Sequence, residues 1–479
     1  MLALYIILAL IAVLIAVILI RTAMFKPKPQ EKIKSHEIAF DNDKIIEDLR
    51  SLVRCKTVSY KDKSLENDAE FRKLLDLLPT LYPNVFKVCE YTELEDRAIL
   101  FKWSGKEHTE PTVLMAHYDV VPVNEELWDK DPFSAELCDG VIWGRGTLDT
   151  KVTFNAVLNA AEHMIKNGFT PKKDMYFAFS GGEEIFGDGA VHIVDYFERN
   201  GIVPGLVSDE GGAVVENVFP GVKQSCGLIG IAEKGLMDVE YTAESNGGHA
   251  SAPKPHTPVG VLSAACCKIE SRPFKSHITK PVKEMFDTLG RHSTFLYRMI
   301  FSNLWLFSPV LDMLCKKTGG ELNAIMRTTV AFTQMSGSSA SNVIPPRATM
   351  VSNMRLNPED TVESAIEYLK KTINDESISL KVQPGAMNPS RISQTDCEAY
   401  NKVAQAVACT WKGCIVSPYL MVQCSDSRHY GRISDKVYRF SAMDLTAEER
   451  ATIHGNNERI RVETAVKAAE FYVRLMEQC

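Results

Sequence analysis

The chain has 479 residues, 45% hydrophobic and 24% charged, with a formal net charge of −7. This is ordinary globular composition with room for two domains. The mild acidity leaves no basic footprint for nucleic acid, and there are no internal repeats or low-complexity tracts.

Met1 to Ile20 is apolar throughout apart from the hydroxyl of Tyr5. A helix of about twenty residues spans about 30 Å, the thickness of a hydrocarbon core. A signal peptide is the competing reading, but the charged n-region is missing, the apolar core is too long and no small-x-small cleavage site follows. The segment is therefore expected to be an uncleaved single-pass anchor over residues 1–21. Arg21, Lys26, Lys28, Lys32 and Lys34 follow it, which by the positive-inside rule puts the catalytic part in the cytoplasm. Twelve Cys without a close-paired framework fit a reducing compartment, and the only glycosylation sequon, Asn388-Pro389-Ser390, is disqualified by its proline. Residues 22–38, with Pro27 and Pro29, read as a short stalk.

Downstream, short apolar runs end in acids or imidazoles. Val113 to Ala116 predicts a buried strand that delivers His117 and Asp119 at its carboxyl edge. Leu148-Asp149 precedes a stretch, Val152 to Lys166, with helical spacing of its apolar residues. Met175 to Phe179 predicts a second strand, closed by Ser180-Gly181-Gly182 and then Glu183-Glu184; Leu206 to Ser208 leads into Asp209-Glu210 in the same way. Alternating strands and helices imply a parallel α/β sheet, with the ligand site beyond the carboxyl ends of its strands.

With His454 far downstream, these clusters make a nitrogen and oxygen donor set that suits Zn²⁺, with Mn²⁺ or Co²⁺ as substitutes. The donors are too many for one tetrahedral ion that keeps an open position. They fit two metals sharing a bridging carboxylate. Glu183 and Glu184 are adjacent like charges, a conflict resolved if one binds metal and the other is raised in pKa as a general base.

Taken together these stretches resemble the di-zinc aminoacylase and carboxypeptidase hydrolases, in particular the Gly-Xaa carboxypeptidase (carboxypeptidase S) and N-fatty-acyl-amino-acid synthase/hydrolase branch. The matching runs are Met115 to Val123, Trp143 to Lys151, Ser180 to Glu184, Asp209 to Gly212, Gly247 to Ser251, Asn342 to Pro346, Asp426 to Tyr430 and Ile453 to Glu458. They span roughly residues 40 to 479 in family order. The resemblance implies that His117 ligates one zinc, that Asp149 bridges both, that Glu184 and His454 complete the second site and that Glu210 completes the first, with Asp209 its rival. Glu183 would be the general base, and Asp119 would orient His117.

The same resemblance implies a zinc-exopeptidase-like catalytic domain with a mainly parallel sheet, in two parts (39–234 and 384–479), and an inserted α+β lid over 235–383. His249 on the lid would stabilise the oxyanion, reaching a neighbouring subunit's site in dimeric relatives, so a homodimer through the lid is one assembly it allows. Asn342, Arg355 and Arg428 would meet the substrate, the arginines through its carboxylate. A non-proline cis peptide is implied at Asp149–Thr150. Thr150 stands where most relatives have a second acid, and Cys424-Ser425 stands where they have Gly-Thr. Neither change removes a ligand. Branch relatives are secreted or lumenal, which opposes the cytoplasmic reading.

Ser271 to Thr318 is rich in Phe, Met, Leu and Trp305. It reads as lid core or a dimer interface, or else as an apolar wall for an acyl chain or a second membrane contact. The expected activity is hydrolysis of the amide bond of an N-acyl amino acid or a small peptide with a free carboxylate. The alternatives are reverse condensation of a fatty acid with an amino acid, and a binding module that has lost its chemistry. Retention of Glu183 and of every ligand position argues against the last.

Overall fold

The computed structural model describes residues 1–28 and 36–479, so residues 29–35 of the expected stalk, with Lys32 and Lys34, lie outside the described residues. Helix α1 (Leu2–Met24) has a mean hydropathy of 3.3 and is 0% buried over its apolar window, so it is long and apolar enough to cross a membrane. Its last turn is different: Thr22 is buried and Arg21 donates to the carbonyl of Ser302.

After a helical lead-in the chain forms β1 (Glu90–Glu93), β2 (Ile99–Trp103), β3 (Glu107–His117), helix α2 (Lys151–Lys166), β4 (Lys173–Ser180), β5 (Leu206–Val215) and β6 (Cys226–Glu233). An insertion follows, carrying β7 (Gly235–Glu244), β8 (Thr329–Ser336), β9 (Arg347–Leu356) and β10 (Ile378–Val382). Strands β11 (Ile415–Met421) and β12 (Val437–Leu445) then return to complete an eight-stranded sheet of order β1-β2-β4-β3-β5-β12-β6-β11. The sheet is mixed, with parallel pairings at its centre. β3 is parallel to β4 and β5, β5 to β12 and β6 to β11, whereas β1, β2 and the β12–β6 contact are antiparallel. The parallel strands sit at the centre, where helices cover both faces and the sequence reads as continuous apolar runs.

Within α2, Val152, Phe154, Ala156, Val157, Leu158 and Ala160 are all fully buried. Helix α2 packs beside the C-terminal helix Val462–Met476, whose Ala465, Ala468 and Ala469 belong to the same core. Small side chains on both helices let them approach closely while α2 holds Asp149, two residues ahead of it, at the sheet's carboxyl edge.

The insertion holds two packing units. Strands β7 to β10 form an antiparallel sheet of order β8-β9-β7-β10, and β9 alternates buried and half-exposed residues as a one-sided sheet must. Helices α3 (Pro258–Ser271) and Val362–Ile373 cover its buried face, with Leu262, Ala265, Leu369 and Ile373 meeting Met350 and Met354. The remaining helices, α4 (Lys280–His292), α5 (Phe295–Ser302), α6 (Leu304–Thr318) and α7 (Gly320–Met326), turn the other way. Their Val282, Phe286, Leu289, Phe301 and Leu311 cluster with Cys226 and Ala232 of β6 and with Ile415 and Leu420 of β11. Much of the apolar stretch from Ser271 to Thr318 thus flanks the large sheet.

At Gly212 the backbones of β5 and β6 approach closely: a Cβ there would lie 1.8 Å from the Leu228 carbonyl oxygen. Gly212→Ala is expected to lower stability by about 1–3 kcal/mol through forced backbone displacement. Thermal unfolding of the variant measures this, and an unchanged midpoint would contradict the close approach.

Candidate metal centre and its cavity

Each acidic or imidazole cluster emerges at the carboxyl side of the central sheet. His117 ends β3, Glu183 and Glu184 occupy a tight helical turn just after β4, and Glu210 lies within β5. Asp149 precedes α2, and His454 lies on the loop after β12 with φ +58°. The Asp149–Thr150 peptide bond is cis, as the resemblance implies.

The two carboxylate oxygens of Asp149 face different imidazoles: Oδ1 lies 3.1 Å from His117 Nε2 and Oδ2 lies 3.0 Å from His454 Nε2. Glu210 Oε1 is 3.3 Å from the same His117 nitrogen, and Glu184 Oε2 is 3.0 Å from the same His454 nitrogen. Donor atoms of His117, Asp149 and Glu184, and likewise of His117, Glu183 and Glu210, lie within 4.8 Å of one another. Asp209, the rival of Glu210, is occupied elsewhere, accepting the Ser427 N–H at 2.9 Å.

The charge balance is unfavourable without cations. Burial pushes the Glu183 carboxyl well above its usual range, and the charges of Glu210, Asp426 and Glu184 push the same way. Burial raises Glu184 to about 7, with Asp149 adding to it, and raises Glu210 to about 8 against the pull of His117. Burial would also raise Asp149, but His117 and His454 hold it well below the usual carboxylate range. Hydrogen bonds to Asp149 and Glu184 lift His454 to about 10. Glu184 Oε1 is buried with no hydrogen-bond partner. The arrangement offers donors that could hold divalent cations: two imidazoles, a carboxylate divided between them, and desolvated oxygens that a cation would satisfy.

The supporting residues are less visible in sequence. The His117 Nδ1 partner is nearer the Asp119 backbone carbonyl, at 3.0 Å, than its carboxylate, at 3.4 Å. The Asp119 carboxylate instead accepts Ser59 Oγ at 2.6 Å and the N–H groups of Glu183 and Glu184 at 3.2 Å. It therefore fixes the Glu183-Glu184 turn as well as standing behind His117. Glu458, fully buried against Arg145, accepts the N–H groups of Leu148 and Asp149 at 2.7 and 3.2 Å. Asp426 accepts from Ser180 Oγ and is raised to about 7, burial first and Asp209 next. Sequence reasoning missed Ser59 and assigned no role to Glu458 or Asp426. Only their neighbours in space mark them.

A cavity of about 620 Å³ opens from these carboxylates. Its polar end is lined by Asp149, Glu183, Glu184, Glu210 and His454, and its apolar walls include Phe219, Met285, Leu289, Leu322 and Ile325. Trp305, in the segment expected as an apolar wall for an acyl chain, does not line it. Four residues expected at the site are not gathered there. His249 and Asn342 are exposed, His249 on a short strand paired with Val343–Ile344 and Asn342 in the turn just before that pair, with the Asn342 carbonyl accepting the Ala250 N–H. His249 Nδ1 lies 3.1 Å from the Ser251 backbone nitrogen and 2.7 Å from Ser251 Oγ. Arg355 contacts Cys424 Sγ at 3.5 Å, and Cys424 does line the cavity. Arg428 donates to the Asn388 carbonyl and faces Glu233 at 3.9 Å.

The profile described as Peptidase family M20/M25/M40 matches residues 113–478. The chain is similar to the N-fatty-acyl-amino acid synthase/hydrolase PM20D1 of Xenopus tropicalis, 34% identical over 98% of this chain and 93% of that protein. It is also similar to the Probable carboxypeptidase S-like 2 of Dictyostelium discoideum, 31% identical over 98% of this chain and 92% of that one. Among solved structures, the M20 family metallo-carboxypeptidase Sso-CP2 of Sulfolobus solfataricus has a TM-score of 0.65 at 18% identity, covering 92% of this chain and 99% of its own. At that identity the likeness is one of fold.

Metal and protons compete for the same atoms here. Divalent-metal affinity is expected to rise with pH, because His454, Glu210 and Glu184 must give up protons held at about 10, 8 and 7. Calorimetric titration in buffers of differing ionisation enthalpy reads the released protons directly; a pH-independent affinity would contradict the reading. Glu458→Gln, which loosens the backbone under Asp149, is expected to weaken metal binding by roughly 10–100-fold, measured by competition with a chelating dye.

Proposed function

The chain belongs to peptidase family M20/M25/M40 and is a metal-dependent hydrolase, and from that premise we propose that it cleaves the amide bond of N-acyl amino acids with long apolar acyl groups at a centre holding two Zn²⁺. One observation carries the substrate reading: the cavity joins the carboxylate and imidazole cluster to walls of Phe219, Met285, Leu289 and Leu322. A small peptide would leave those walls unfilled.

His117 and Glu210 would hold one ion, His454 and Glu184 the other, and Asp149 would lie between them, with Mn²⁺ or Co²⁺ as substitutes. When bound, the ions polarise the scissile carbonyl and lower the pKa of water. Glu183 takes the proton from the attacking water and returns it to the leaving amine. Its burial beside Glu210 and Asp426 supports this, since it raises the carboxylate's affinity for a proton. Arg355, beside Cys424 at the cavity, is better placed than Arg428 for the substrate carboxylate. His249 donates a ring N–H to the oxyanion, and it and Asn342 would be brought to the site by closure of the insertion or from a second copy of the chain. Running the same site in reverse would condense a fatty acid with an amino acid. Mass analysis of products formed from the two free components tests that direction.

α1 serves as an uncleaved anchor, supported by the contacts of its last turn with Ser302 and Asn303, which removal of a signal peptide would destroy. We place the catalytic part on the cytoplasmic side. All twelve Cys are free, as a reducing compartment requires. Protease digestion of intact cells is expected to leave the chain whole; cleavage from outside would reverse the orientation.

The full chain is expected to hydrolyse long N-acyl amino acids in preference to Gly-Xaa dipeptides, to lose turnover to chelator, and to lose about 10²–10⁴-fold of kcat in Glu183→Ala. Metal binding without turnover of any panel member would refute the substrate class. Leu322→Trp should lower kcat/KM for long acyl chains while sparing acetyl substrates. An unchanged chain-length profile would remove the acyl role of the cavity.

A further inference from the structure

Helices α5 and α6 present an apolar surface with nothing on it. Phe295, Leu296 and Tyr297 of α5, with Trp305, Val310, Met313 and Leu314 of α6, are each between 40% and 61% exposed. The opposite side of α6 is apolar as well, because Leu311 and Cys315 are buried in the cluster that includes Phe219 and Met285. A helix in water that is apolar on both sides lacks the polar face that surface helices carry. The acid of α6, Asp312, is tied to Arg327 and Lys316, and the basic Lys316 and Lys317 come only in its last turn. A contiguous patch of this kind marks an interaction surface.

The position of the patch identifies what covers it. Arg21 donates to the Ser302 carbonyl at 3.2 and 3.0 Å, and Thr22 Oγ1 lies 3.3 Å from Ser302 Oγ. Asn303 Nδ2 lies 3.4 Å from the Ile18 carbonyl and from Thr22 Oγ1. The α5–α6 junction is therefore fastened to the last turn of α1, where an apolar span gives way to its first charge. Trp305 follows Asn303 by two residues, less than one helical turn. Beyond the junction, Phe25 joins the α4 cluster, and Arg291 stacks on its ring at 4.4 Å while donating to the Lys26 carbonyl.

We propose that α5 and α6 form a second membrane contact, lying in the interface of the leaflet at which α1 ends, with Trp305 and Tyr297 at headgroup depth and Leu296, Met313 and Leu314 in the acyl region. The assignment rests on reading α1 as an anchor. Apolar helices flanked by basic residues bind such interfaces, and aromatic rings with a polar edge settle at their boundary. The platform stands one helix away from the cavity: Met285 and Leu289 of α4 line the cavity, while Phe286 of the same helix packs on Phe301 of α5 at 5.1 Å between ring centroids. An acyl substrate dissolved in that leaflet is held against the wall of the site that would receive it.

The test uses the full chain reconstituted into phosphatidylcholine vesicles, with and without bromine on the acyl chains. Bromolipid is expected to quench part of the tryptophan emission, and Trp305→Phe should remove that part, because Trp103, Trp128 and Trp411 are buried in the catalytic body and Trp143 is partly covered there by Lys130 and Arg459. Leu314→Trp in the Trp305→Phe background should restore the quenching and guards against a fault specific to the first substitution. Retention of the chain through alkaline carbonate, with no quenching that depends on Trp305 or Leu314→Trp, would overturn the platform and leave the anchor standing. Release by carbonate would overturn both. If a second copy covered the patch instead, lipid quenching would be absent and the emission would follow the protein-to-lipid ratio, which also overturns the proposal.

Discussion

Buried carboxylates repel one another, and this fold gathers Asp149, Glu183, Glu184, Glu210 and Asp426 around two imidazoles in a desolvated site. Burial and mutual repulsion raise the proton affinity of the three glutamates and Asp426, while His117 and His454 hold Asp149 ionised between them. Such a cluster is at ease only with protons or cations in it. The architecture around it can be understood as the means of holding it together. Parallel strands β3, β4 and β5 end side by side, so three separate stretches of chain deliver acids to one edge. Buried partners with no access to substrate then pin the delivery: Glu458 under Asp149, and Asp119 under the Glu183-Glu184 turn.

The insertion divides its work between two surfaces. A small exposed strand pair holds His249 with Asn342 beside it, and helices α4 and α7 close the apolar side of the cavity. One continuous apolar cluster runs from the cavity wall through α4 to the back of α5 and α6, and then to Phe25 beyond α1. The chemistry of the carboxylate cluster and the hydrophobicity of the amino-terminal helix are therefore joined by packing, although more than two hundred residues of sequence separate α1 from α5.

Much of the centre was legible early because its signals are local. Apolar runs ending in His117, Glu183-Glu184 and Asp209-Glu210 announce strands whose ends bear ligands, and the helical spacing from Val152 to Lys166 matches α2. The choice of Glu210 over Asp209 needed coordinates, since adjacent strand residues point to opposite faces and only one face meets His117. The mixed sheet was not legible: β6, β11 and β12 are short apolar strands whose direction depends on where the insertion lets the chain re-enter. Nor were Ser59, Asp426 and Glu458, whose importance comes from partners distant in sequence.

The sequence by itself determined the donor types, the order in which strands carry them, and the presence of a span-length apolar helix, because each depends on neighbours within a few residues. Tertiary structure decided that Asp149 divides its oxygens between His117 and His454, that Met285 and Leu289 rather than Trp305 face the cavity, and that Ser302 and Asn303 meet the end of α1. Those facts depend on which surfaces meet once apolar area is buried, and burial is a property of the whole chain with no local signature.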